Sequence, residues 1–99
     1  MGDFDRDVIR RAPERMFSFQ NLQVPGGYIN CVLNVRLARC GDDLKIVDYT
    51  FVSAEDFLGK APTWVTISQI ADAAIKDIEA NYKPSSFSDD LPDVFEETF

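Results

Sequence analysis

From residue 29 to residue 37 every second side chain is apolar, and this constrains the fold more than any other feature of the sequence. Ile29, Cys31, Leu33, Val35 and Leu37 fall on one parity, while Asn30, Asn34 and Arg36 fall on the other. A period of two places these sets on opposite sides of an extended chain, so the segment is a strand with one buried face. A half-buried strand needs strand neighbours and a cover, and turn residues bracket this one. Pro25-Gly26-Gly27 precedes it and Cys40-Gly41-Asp42-Asp43 follows it. The aromatic and β-branched run beginning at Phe17 supplies a strand before the first turn. Leu44 to Ser53 supplies another after the second, with Val47, Tyr49 and Phe51 expected on one face. The three form an antiparallel meander.

Residues 66 to 83 change period. Ile67, Ile70, Ala71, Ala74, Ile75, Ile78 and Tyr82 recur at helical spacing. Thr66 and Gln69 stand as N-cap and N3 of a capping box, Val65 and Ile70 as a hydrophobic staple, and Pro84 ends the run. Asp72 with Lys76 and Glu79 with Lys83 are spaced for i,i+4 ion pairs. Residues 3 to 12 predict a short first helix, capped by Asp3 or Asp5 and stopped by Pro13, in which Asp7 faces Arg10 and Arg11. Ser53 and Asp56 are placed to cap one further helical turn before the main helix. The expected fold class is therefore α+β: a three-stranded antiparallel meander, the C-terminal helix packed on one face, and a short N-terminal helix. With 99 residues and no internal repeat, one domain over residues 1–83 is expected, followed by an acidic, aromatic tail over 84–99.

The chain carries 17 acidic against 10 basic residues, a net charge of -7, and no histidine. The imbalance is local. Residues 84–99 hold five acids and no base, while 17–41 hold only Arg36 and Arg39. A phosphate backbone is bound by cationic surface that releases counterions, so direct nucleic-acid binding is not expected. Absence of histidine removes the commonest base near neutral pH and the commonest transition-metal ligand. Cys31 and Cys40 lack the short spacing of a zinc site, and on one strand they lie too far apart for a disulfide. Asp42 and Asp43 beside Asp48 could suggest a cation site, but turn chemistry accounts for the first two, and a calcium loop needs more oxygen ligands at regular spacing. No nucleophile stands beside a recognisable base. No metal, no cofactor and no enzymatic activity are therefore expected. Neither a signal peptide nor a membrane span is expected, which together with two cysteines suggests a cytoplasmic setting.

Two candidate binding surfaces remain. The first is the tail PSSFSDDLPDVFEETF, in which Leu91, Val94, Phe95 and Phe99 recur at helical spacing among acids. Folded on a partner, it would present an apolar stripe flanked by Asp89, Asp90, Asp93, Glu96 and Glu97. The second is the polar face of the central strand, Tyr28, Asn30, Asn34 and Arg36, with Asp48 and Thr50 beside it if the hairpin turns at 41 and 42. The open sheet face also admits a homodimer.

Three resemblances bear on function. The helix-strand-strand-strand-helix order resembles that of double-stranded-RNA-binding domains, but their last helix opens on Lys-rich chemistry and this one opens Thr66, Ile67, Ser68, Gln69. The acidic tail ending in Phe99 looks like the protein-recruiting tips of single-stranded-DNA-binding proteins, which implies recruitment. In size, charge and lack of catalytic residues the chain also looks like the small acidic inhibitors that phages and mobile elements direct at host nucleic-acid-handling systems, anti-CRISPR and anti-restriction proteins among them. The expected function is thus non-enzymatic binding of a protein partner with a basic surface. The alternatives are an accessory subunit, or a small-molecule-binding domain, of a larger assembly.

Overall fold

The computed structural model describes residues 6–87 and 91–94. Helix α1 (Arg6–Arg11) leads into strands β1 (Glu14–Val24), β2 (Gly27–Cys40) and β3 (Asp43–Glu55), then helix α2 (Ile67–Asn81) and a 3-10 turn (Pro84–Ser86). The strands form one antiparallel sheet in the order β1-β2-β3. The α+β fold read from the alternation is therefore present. Asp3 and Asp5, the expected caps of α1, lie outside the described residues. Asp7 pairs with Arg11 at 3.1 Å.

One face of the sheet packs against α2. Leu22, Val24, Ile29, Cys31, Leu33, Val35, Leu37, Leu44 and Ile46 meet Ile70, Ala74 and Ile78 in a single cluster that also takes in Val65. The N-cap is as the sequence predicts. Thr66 Oγ1 accepts from the Gln69 amide at 3.1 Å, and Gln69 Oε1 accepts from the Thr66 amide at 3.0 Å. Ile67 and Tyr82 were expected on the buried stripe; Ile67, in the first turn, is exposed instead, and Tyr82, the C-cap, is 39% exposed with its ring against Phe17 of β1 and Phe87.

A second, smaller cluster lies on the opposite face. Ala12, Ala38, Val47 and Val94 are buried there, with Val8, Ile9 and Cys40 beside them. Simple alternation puts Val47 with Tyr49 and Phe51. The register shifts between the pairs Arg36↔Asp48 and Leu37↔Ile46, leaving Val47 as the extra residue of a bulge that turns it to the other side. Arg36 ties α1 down at this end, its guanidinium donating to the carbonyls of Ile9 at 3.2 Å and Ala12 at 3.0 Å.

Strand β1 starts at Glu14, three residues before the aromatic run, since Glu14, Arg15 and Met16 pair with β2 while their side chains stay in solvent. Within β1 the register shifts between Phe19 and Leu22. Asn21 sits there at φ 57, a left-handed conformation that Asn tolerates, and its amide donates to Asn30 Oδ1 at 3.0 Å. The expected ion pair of Glu79 with Lys83 is not formed. Glu79 Oε2 accepts from the Ile46 amide on β3 at 2.9 Å, and Lys83 pairs with Asp43 at 3.3 Å. Together with Asp48, which accepts from the Tyr49 amide, Glu79 occupies edge N–H groups that another strand would otherwise use.

Residues 91–94, expected as part of a helical stripe, are extended. Asp93 bridges Arg39 in parallel, with the Arg39 amide donating to the Pro92 carbonyl and the Val94 amide to the Arg39 carbonyl. Leu91 enters the α2-side core and Val94 the second cluster, so four residues reach both faces of the sheet. They take the place beside β2 that β1, pairing no further than Glu14↔Arg36, leaves open.

Both cysteines are free thiols. Burial pushes the Cys31 thiol up from 9.0 to about 11. The folded state holds this proton more tightly than the unfolded state does, so the contribution is complete below pH 9 and declines as pH rises from 9 to 11. Cys40 is only partly covered. Alkylation of the folded chain at pH 8 should therefore give one adduct, on Cys40, with Cys31 reacting only after denaturation. Peptide mass mapping after iodoacetamide treatment reads this directly.

Candidate protein-binding site

At the end of β3 the chain makes a closed loop around Asp56. Its carboxylate Oδ1 accepts from the amides of Leu58 at 2.9 Å and Lys60 at 3.0 Å. Its carbonyl accepts from the Gly59 amide at 3.0 Å, and its own amide donates to the Lys60 carbonyl at 2.7 Å. Asp at the first position of a turn and Gly at the fourth is a turn pattern, and Gly59 has φ 79, a conformation few other residues adopt. The helical turn expected over this stretch is thus replaced by a side-chain-closed loop. Its tip carries Phe57, 90% exposed, and Leu58, 65% exposed.

Neighbouring residues extend this surface. Phe57 lines an open cleft of about 450 Å³ together with Asn21, Tyr28, Ile29 and Asn30. Trp64 lies over the β1–β2 turn, where a Cβ on Gly26 would stand 3.1 Å from Cε3 of its ring. Tyr28, Phe57, Leu58, Trp64 and Ile67 make up five of the large apolar residues left exposed, and the turn after β1 and the loop before α2 bring them to one end of the sheet. Isolated exposed apolar residues are ordinary, and the gathering of these five at one end of the sheet makes that end a candidate interaction surface.

The sheet-face residues singled out by sequence are divided in role. Arg36 pairs with Glu14 at 2.7 Å, and Asn34 Nδ2 donates to the same carboxylate at 2.9 Å. Asn30 accepts from the Asn21 amide. These three thus serve the fold, whereas Tyr28 is exposed beside Phe57. The expected neighbours Asp48 and Thr50 do stand opposite Arg36 and Asn34.

The tail residues also divide. Leu91, expected to touch a partner, is buried in the chain's own core, and Asp93 pairs with Arg39 at 3.0 Å. Asp89, Asp90, Phe95, Glu96, Glu97 and Phe99 lie outside the described residues. Because residues 91–94 are fixed beside Arg39, Asp93 is held at the end of the sheet that carries the Gly41-Asp42 turn, away from the Phe57 loop. Phe57 and Leu58 were missed as site residues because a hydrophobic pair followed by Gly and Pro also fits a buried turn. The Asp56 to Gly59 spacing was the available signal.

Among the described residues no group of three or more Cys, Asp or Glu is placed to hold a metal ion, and no helix is long and apolar enough to cross a membrane. Comparison with protein-family models, with curated proteins and with solved structures finds no match for this chain.

Proposed function

We propose that this chain is a non-enzymatic protein-binding protein that docks the Phe57–Leu58 loop tip into an apolar pocket of a partner with a basic surface. The observation that carries the reading is the closure of the loop by Asp56, which fixes the backbone from which two large apolar side chains project into water. A pre-ordered aromatic anchor loses little conformational entropy on binding and is a common source of interface energy. The net charge of -7 supports a basic partner, since the long-range field then steers association. If the basic site is one that normally holds nucleic acid, the chain acts as an inhibitor by occupying it. That is the reading its size and charge favour over an accessory subunit.

The test is affinity capture from a cell extract by the immobilised chain at low and moderate salt, against two variants. Phe57→Asp is expected to lower retention of a captured partner by at least ~30-fold, as for loss of a central interface anchor. Asp56→Ala should lower it less, because the loop opens while the side chains remain. Equal retention by wild type and Phe57→Asp overturns the site. A captured partner whose retention does not weaken with salt overturns the basic surface.

A further inference from the structure

The cleft beside the loop tip combines aromatic rings with uncompensated negative charge. Two aromatic side chains, Tyr28 and Phe57, line it together with Asn21, Ile29 and Asn30, and none of the five is basic. Glu55 is the cross-strand partner of Asn30, and directly opposed residues carry their side chains on the same face of a sheet, roughly 5 Å apart at Cβ. Its carboxylate is exposed, and among the described residues it takes part in no ion pair or hydrogen bond. The Asn21 carboxamide is likewise without a partner among the described residues, and Asn30 Oδ1, which accepts from the Asn21 amide, has a second lone pair. Lys60, the one base of the loop, is not among the lining residues.

Aromatic rings attract cations over their faces, and a carboxylate beside them adds a charged acceptor. A purely apolar ligand would cover Glu55 and both carboxamides without satisfying them. Of the two basic side chains arginine fits better, because its planar, weakly hydrated guanidinium stacks on rings while its N–H groups reach oxygens at the edge. The chain makes the same pairing within its own fold, where the Arg15 guanidinium lies over the Phe87 ring, 5.8 Å from the centroid.

We propose that this cleft receives an arginine side chain of the protein partner, with the guanidinium against Tyr28 and Phe57 and its charge paired with Glu55. Resting on the partner site proposed above, this gives that partner's basic surface one specific contact, an arginine beside the apolar pocket that takes the loop tip. The net charge of -7 draws a basic surface from a distance, whereas the cleft selects one side chain at contact.

Titration of the isotope-labelled full chain with the blocked peptide acetyl-Gly-Arg-Gly-amide, followed by amide chemical shifts, tests the proposal. Saturable shifts are expected at Asn21, Tyr28, Asn30 and Phe57, with a Kd on the order of 10 mM for so small a ligand. The same peptide with citrulline, neutral and of nearly the same shape, should bind at least ~5-fold more weakly, and the lysine peptide, of equal charge, about 3-fold more weakly. Glu55→Gln should weaken the arginine peptide about 3-fold, and Asp72→Asn, which removes the same charge from α2, should not. Both positions are exposed, so both variants should melt as the wild type does. No saturable shift at the cleft, equal binding of the arginine and citrulline peptides, tighter binding of the lysine peptide, or no effect of Glu55→Gln overturns the proposal. None of these outcomes touches the loop-tip reading, which fails separately if Phe57→Asp retains the captured partner.

Discussion

Leu91→Ala should lower the unfolding free energy by about 2–4 kcal/mol, the range for truncating a leucine in a closed core. Leu91 is 4% exposed and packs in the same cluster as Ile70, Ala74 and Ile78. Its loss would leave a cavity beneath α2 that nothing nearby is free to fill, because the segment is held on both sides. The Arg39 amide donates to the Pro92 carbonyl, and Val94, 5% exposed, is buried under α1. Asp93→Asn in the same segment should cost about 1 kcal/mol or less, since its ion pair with Arg39 is solvent-exposed. Urea unfolding of the two variants separates these outcomes. A Leu91→Ala loss below about 0.5 kcal/mol would mean that the segment is a loosely held tail.

Gly26→Val should be comparably damaging for a different reason. Gly26 has φ +91, a backbone conformation that costs other residues roughly 1–3 kcal/mol and a β-branched residue the upper part of that range. A Cβ there would also stand 3.1 Å from the Trp64 ring, which must shift by a few tenths of an ångström to admit it. We expect a combined loss of about 3 kcal/mol. The two contributions are separable, because strain belongs to the backbone and the close contact to the ring. In a Trp64→Ala background, the same substitution should cost about 1 kcal/mol less. An unchanged cost in the two backgrounds would show that the ring yields freely.

What the sequence made legible follows from which residues act locally. The parity of residues 29–37 fixed the buried face of β2, and the Thr66–Gln69 box fixed the start of α2, because both signals are complete within a few positions. Val47 was misplaced by parity because a bulge is set by how β3 pairs with β2, and no residue of β3 alone announces it. Glu79 was read as a partner of Lys83 on helical spacing, but a carboxylate facing an open strand edge finds a backbone amide there instead. Leu91 and Val94 fit a helical stripe equally well. Their extended course depends on the space beside Arg39 that the early end of β1 leaves, a fact of tertiary structure. Of the proposed binding surface, Tyr28 was visible as an outward residue of an alternating strand. Phe57 and Leu58 were not, since whether such a pair turns inward is decided by the Asp56 hydrogen bonds.

Site-specific photo-crosslinking from position 57 tests the binding role most directly. A benzophenone side chain replaces Phe57 in one variant and Asp72, on the solvent side of α2, in another, and both are irradiated in cells that make the chain. The account predicts a discrete adduct from position 57 and none from position 72. The same adducts from both positions, or none from position 57 while the chain is still retained by a partner, would contradict it.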